Sequence, residues 1–108
     1  MKTKSDQTDN NPLQNINKTI HEPARLNIMS NLYVVESADF IYLMRTTGLT
    51  DGNLSAHIKK LGTTGYIKIR KEFKNNRPLT TIFMTDEGKS AFEQYMADMK
   101  SILNNITE

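Results

Sequence analysis

The residues best suited to chemistry lie between Asp51 and Thr63, where a helical pattern leaves one side of the segment small and polar. With Leu54 taken as inward and about 100° per residue, that side carries two small residues, an amide, two hydroxyls and two ammonium groups. Small residues permit close approach, amides and hydroxyls hydrogen-bond base edges, and ammonium groups neutralise phosphates. The segment therefore predicts a helix face that fits a nucleic-acid groove. Lysines are also ordinary on any solvated helix face, so Lys59 and Lys60 alone do not decide the matter.

Positive charge is concentrated around this segment. The net charge of the chain is only +2, but the stretch from Arg45 to Pro78 holds eight basic and two acidic side chains, and both flanks are net acidic. Basic residues at the tip of a predicted hairpin can contact DNA phosphates and the adjacent minor groove. Charge on an edge hairpin can also serve to prevent aggregation, which is the alternative interpretation of this element. The predicted DNA-contacting residues are Thr50, Gly52, Asn53, Ser55, Ala56, Lys59, Lys60, Lys71, Lys74 and Arg77.

The N-terminal part of the chain is predicted to contain a tail and a short helix. Residues 1–11 are polar and can bury almost nothing on folding, so we expect them to be disordered. Pro12 suits the first turn of a helix, and Leu13, Ile16 and Ile20 would then share one face. The remaining residues, 12–108, are predicted to form one domain.

A helix-turn-helix is predicted in the middle of the chain. A second helix opens at Pro23, and Ser37 is a plausible N-cap for a third over residues 37–47. Gly48 ends that helix, and Thr50 is placed to cap a fourth helix over residues 51–63. Two helices joined by so short a turn are typical of DNA-binding proteins, in which the second helix enters the major groove.

A β-hairpin and a long helix complete the predicted fold. Apolar and basic residues alternate from Ile67, which indicates a half-buried strand, and residues 75–78 have turn chemistry. The hairpin would form a wing with its contacting part at residues 71–80. Thr85 is placed to cap the last helix, over residues 86–106. The sequence thus predicts a mainly α fold with a small β-hairpin: a winged helix-turn-helix with an N-terminal helix and a long C-terminal dimerisation helix.

The last helix carries an apolar seam at heptad spacing, which indicates a partner helix. Because the seam is longer than so small a core needs, we expect a homodimer, although the seam could instead pack on its own domain. In such a dimer the two reading helices would lie about 34 Å apart and match a palindromic site. The predicted interface residues are Leu13, Ile16, Phe92, Tyr95, Met96, Met99, Ile102, Leu103 and Ile106.

The sequence also resembles the small winged-helix regulators related to the MarR and ArsR families. The resemblance spans residues 13–102 and is carried by IHEPARL (20–26), ADF (38–40), GLTDGNLSAHIKKL (48–61), GY (65–66), RP (77–78) and TDEG (85–88). It implies a dimeric transcription factor whose helix 51–63 lies in the major groove and whose wing contacts the flanking backbone. Gly62 departs from the acidic residue expected at that position, which puts the end of the helix in doubt.

Catalytic and cofactor sites have no sequence signature. The chain has no cysteine, and neither His21 nor His57 lies in a motif with metal-ligand spacing. We therefore expect no enzyme activity, no metal and no cofactor. No apolar run is long enough to span a bilayer and no signal peptide is evident, so a cytoplasmic protein with no membrane partner is expected.

Two functions follow from these patterns. The first is sequence-specific binding of double-stranded DNA as a homodimeric transcriptional regulator, with room for a small-molecule effector of unknown chemistry. The alternative is a winged-helix module that binds proteins and has no specific DNA site. The basic middle segment favours the first.

Overall fold

The computed structural model describes residues 12–107. Within that range the chain forms a 3₁₀ turn (Pro12–Asn15) followed in order by α1 (Pro23–Val35), β1 (Ser37–Asp39), α2 (Phe40–Thr47), α3 (Asp51–Thr64), β2 (Ile67–Lys74), β3 (Arg77–Met84) and α4 (Asp86–Thr107). Helices dominate and the strands form one antiparallel sheet in the order β1-β3-β2. The predicted winged helix-turn-helix fold is confirmed.

The helix-turn-helix is made by α2, a three-residue turn and α3. Gly48 ends α2 with a φ of 73°, a left-handed conformation that glycine adopts without steric cost. Thr50 then caps α3, because its hydroxyl accepts the backbone N–H of Asn53 at 3.2 Å. The helix continues through Gly62 to Thr64, one residue beyond the predicted end, and Gly65 is its C-cap.

The wing is a tight antiparallel hairpin. Lys74 pairs with Arg77, so the two strands are joined by Asn75 and Asn76 alone. Both asparagines have positive φ, 54° and 62°, as a two-residue turn of the hairpin type requires. The predicted turn of four residues is therefore shorter, and its last two residues belong to β3.

The third strand was not predicted, and it corrects the start of the supporting helix. Residues 37–39 pair with β3, with Ala38 opposite Ile82, instead of forming the first turn of a helix. Asp39, not Ser37, caps α2, and its carboxylate accepts the backbone N–H of Tyr42 at 2.7 Å. Three residues are too few to show the two-residue period of a strand, so sequence periodicity could not predict β1. The strand is defined instead by its pairing with β3, about 40 residues away in the chain.

The short first helix was also wrong in its extent. Only Pro12–Asn15 is helical, as one 3₁₀ turn. Beyond it the Asn17 side chain accepts the backbone N–H of Ile20 at 3.1 Å, a local hydrogen bond that competes with helix formation. Of the predicted apolar face, Ile16 and Ile20 are nevertheless buried, whereas Leu13 is 46% exposed. The predicted disordered tail, residues 1–11, lies outside the described residues.

The core lies between the helices and one face of the sheet. It joins α1, α2, α3 and the sheet to α4, which also makes polar contacts. Tyr33 donates to Glu93 at 2.7 Å, and this hydrogen bond raises the pKa of the Tyr33 phenol. The Tyr95 hydroxyl lies 2.8 Å from Nδ1 of His21. Burial raises the pKa of the Tyr95 phenol. The buried core residues are Ile16, Ile20, Ile28, Met29, Leu32, Leu43, Leu54, Ile58, Leu61, Ile67, Ile82, Phe92, Tyr95 and Ile102.

Glu36, between α1 and β1, adopts a backbone conformation that glycine tolerates better. Its φ is 71° and its ψ is −32°, and its side chain is exposed. We expect Glu36→Gly to raise the free energy of unfolding by up to about 1 kcal/mol, because the Cβ strain is removed. Denaturant unfolding would measure the change. Glu36→Ala keeps the Cβ and is the control; an equal gain there would contradict the strain.

None of the helices described over residues 12–107 is long and apolar enough to cross a membrane.

Candidate nucleic-acid interface

An open groove separates α3 from the wing. Its volume is about 770 Å³, and both walls carry a lysine, Lys59 on α3 and Lys71 on β2. Ile58 and Ile67 of its lining are buried, whereas Ser55, Lys59 and Lys71 are exposed. The residues that line it are Phe40, Asp51, Ser55, Ile58, Lys59, Gly62, Thr63, Ile67, Ile69, Lys71 and Thr80.

The predicted contact residues on α3 are all exposed, but they divide between two flanks. Ser55 and Lys59 line the groove. Asn53 and Lys60, by helical spacing, lie on the flank turned away from the wing. Gly52 is exposed between them, and a Cβ built on it would meet nothing within 4 Å. The side of α3 that sequence periodicity predicted to face outward is therefore exposed, as contact with DNA would require.

The basic residues of the wing lie on both faces of the hairpin. Residues directly opposite each other in a sheet share a face, so Lys71 lies with Thr80 on the face that lines the groove. Lys74 and Arg77 form the last pair before the turn and, by alternation, belong to the opposite face. All three are exposed. On that opposite face the guanidinium of Arg70 lies 4.6 Å from the centre of the Phe83 ring.

The groove contains one acidic residue among its described lining, Asp51, in the first turn of α3. A carboxylate at this position is stabilised by the positive end of the helix dipole. The Ser55 hydroxyl lies 3.5 Å from its Oδ1. Lys59 and Lys71 outnumber it, so the groove carries a net positive charge.

A polar cluster that the sequence analysis missed joins α1 to α3. Arg25 donates from its guanidinium to Nδ1 of His57 at 3.3 Å, and the Glu22 carboxylate lies 3.8 Å from the same nitrogen. Glu22 also caps α1 by accepting the backbone N–H of Arg25 at 2.8 Å. Contacts across 32 residues leave no local pattern, so sequence spacing could not have found them. Over residues 12–107, no three His, Cys, Asp or Glu side chains converge to hold a metal ion.

The predicted dimer residues divide by burial into three groups. Four of them, Ile16, Phe92, Tyr95 and Ile102, are buried within the protomer. Met99 packs partly against the core. The other four remain exposed on the protomer: Leu13 (46%), Met96 (40%), Leu103 (53%) and Ile106 (72%).

Comparison with known proteins identifies the family. Residues 24–103 match the family described as winged helix DNA-binding domain, and the chain belongs to that family. A curated relative, the uncharacterized protein MJ0432 of Methanocaldococcus jannaschii, is 35% identical over 89 residues, which cover 82% of this chain and 97% of that protein.

Two solved structures share the fold of the chain. The transcriptional regulator homologue of Pyrococcus horikoshii OT3 is 27% identical, with a TM-score of 0.74 over 94% of each chain. A MarR-family protein of Enterococcus faecalis V583 shares the fold at 19% identity, with a TM-score of 0.69 over 99% of this chain and 92% of that one. The predicted membership of a winged-helix DNA-binding family is confirmed.

Proposed function

We propose that the chain binds double-stranded DNA in a sequence-specific way as a homodimeric transcriptional regulator. The observation that carries this proposal is the groove between α3 and the wing, with Lys59 on one wall and Lys71 on the other. In the proposed complex α3 enters the major groove, and the wing lies on the flanking backbone. Membership of a DNA-binding family supports the same conclusion.

The homodimer is proposed from the apolar end of α4. Leu103 and Ile106 are three residues apart, so they lie on the same face of the helix, and both are largely exposed. Pairing this face with its copy would remove both side chains from water. Two copies of α3 would then lie about one DNA turn apart, which fits a palindromic operator.

The salt dependence of binding tests the DNA contacts. Each phosphate neutralised by a lysine contributes about 0.9 to the slope of log affinity against log salt concentration. We expect Lys59→Ala and Lys71→Ala each to lower the slope by about 0.9 and the double variant to lower it by about twice that amount. Fluorescence anisotropy with a mixed-sequence duplex would measure the slopes.

Lys100→Ala is the matched control, because Lys100 is exposed on α4 and does not line the groove. Its slope should equal that of the wild type. If the wild type retains no duplex at about 50 mM salt, the proposed function is wrong and the protein-interaction alternative gains. If it binds but both groove variants keep the full slope, the assigned surface is wrong.

Three further expectations stay predictions. They are the absence of catalysis, a cytoplasmic location, and a small-molecule effector of unknown chemistry. The relatives named above are described as regulators or carry no function in their names, which supports a regulatory role over an enzymatic one.

A further inference from the structure

Phe73 is an aromatic residue without packing at the far end of the wing. It is 77% exposed and lies one pair from the turn, opposite the exposed Pro78. Alternation along β2 places it on the same face as Ile69 and Lys71, which line the groove. The wing therefore presents an apolar tip on its groove side.

The fold does not need this ring. The core ends lower on the hairpin, where Ile82 is fully buried and its partner Ile69 is already 43% exposed. The two-residue turn through Asn75 and Asn76 sets the hairpin geometry without it. An exposed aromatic on a strand is a liability for aggregation, so its presence at a protruding tip suggests contact with a partner.

The charges around the ring select the partner. Lys71, Lys74 and Arg77 are all exposed within four residues of Phe73. Lys71 shares the face of Phe73, whereas Lys74, Arg77 and one acidic residue, Glu72, lie on the opposite face of the hairpin. An aromatic ring at a hairpin tip that carries cations on both faces fits a DNA minor groove, which has phosphates along both rims and apolar sugar walls. The tip is also continuous with the groove proposed to bind DNA.

We propose that Phe73 is an apolar wedge that enters the minor groove beside the operator and partly unstacks a base step there, bending the DNA. This inference rests on the proposed function and adds a specificity determinant to it. Pyrimidine–purine steps unstack most easily, so they should be favoured under the wing although no base edge is read there. The flanking cations hold the phosphates while the ring supplies the deformation.

The test uses the full chain and duplexes of about 40 base pairs, selected from a random pool by the wild type, which hold two half-sites and both flanks. Dyes at the two ends report bending by energy transfer, and anisotropy reports affinity. We expect Phe73→Ala to bind about tenfold more weakly, with the bend reduced and the salt slope unchanged, because no phosphate contact is lost. Phe73→Leu should keep most of the bend, since leucine also serves as a wedge.

Phe73→Lys separates the wedge from general charge. The substitution adds a cation at the same position. If the tip acts only through its charge, the variant should bind DNA more tightly than the wild type. If Phe73 acts as a wedge, the variant should lose the DNA bend. Val34→Ala is the control for an exposed apolar side chain, because Val34 is 80% exposed on α1 and does not line the groove. It should leave affinity and bending unchanged.

Two results would contradict the wedge and leave the proposed function standing. The first is a Phe73→Ala protein that binds DNA as tightly as the wild type and bends it as much. The second is a Phe73→Ala protein whose sedimenting mass changes while the DNA bend does not, which would assign the ring to contact between copies of the chain. A wild type that selects no duplex would instead remove the proposed function and the wedge with it. The two failures are therefore distinguishable.

Discussion

Gly88→Ala is expected to lower the free energy of unfolding by about 3 kcal/mol, which corresponds to a fall in Tm of roughly 12–24 °C for a domain of this size. Gly88 is buried in the first turn of α4. A Cβ built there would overlap the carbonyl oxygen of Tyr66 and lie 2.9 Å from its carbonyl carbon. The clash is with backbone, so no side-chain rotation can relieve it.

The surrounding hydrogen bonds explain why the backbone cannot simply move away. The Thr85 hydroxyl accepts the backbone N–H of Gly88 at 2.9 Å and donates to the carbonyl of Gly65 at 2.7 Å. The Thr85 N–H also donates to the Tyr66 carbonyl at 3.1 Å. The start of α4 is therefore fixed against the chain that enters β2.

Gly52→Ala is the matched control, since Gly52 is also in the first turn of a helix and a Cβ there would meet open space. It should raise stability by up to about 1 kcal/mol, as alanine favours helix over glycine. Thermal unfolding of both variants by circular dichroism would measure the difference. A Gly88→Ala protein as stable as the wild type would contradict the close approach of α4 to Tyr66.

Replacing both Leu103 and Ile106 with aspartate should convert a dimer into a folded monomer. The two side chains are 53% and 72% exposed, so the substitution removes little core packing. It would place two carboxylates against their copies across the proposed interface, where like charges repel. Loss of bivalent attachment should then weaken binding to a palindromic duplex by about 10²-fold or more.

Sedimentation velocity at micromolar concentration would measure the mass, and anisotropy would measure the affinity. Ser101→Asp with Asn105→Asp adds the same charge to the same turns of α4, at exposed positions on the other side of the helix. That variant should remain dimeric. A wild type that sediments as a monomer, or an aspartate pair at Leu103 and Ile106 that stays dimeric, would contradict the interface.

Local patterns predicted the parts of the fold whose stability is local. Thr50 and Thr85 were recognised as caps because a capping hydroxyl needs only the next three residues. The change of period at Ile67 located β2, since alternation is visible within a few residues. The side of α3 that faces outward followed from the burial of Leu54 and helical geometry.

The features that the sequence did not predict depend on contacts between residues that are far apart in the chain. Strand β1 forms because Ala38 pairs with Ile82, and a segment of three residues contains no pattern that predicts this pairing. The cluster of Arg25 and His57 likewise joins separate helices. The predicted hairpin includes Phe73, but the exposure of this side chain at the tip depends on where the core ends, and that is a property of the whole packing.

Strand β3 has a consequence for how quickly an encounter with DNA can become a complex. It pairs with β1 on one side and with β2 on the other, and β1 ends at Asp39, the residue that caps α2. The wing and the supporting helix are thereby ordered by the same strand during folding. Their conformational entropy is lost then, not on association. Capture of a duplex should accordingly be governed by diffusion and electrostatic steering, with no rearrangement of the wing as a slow step.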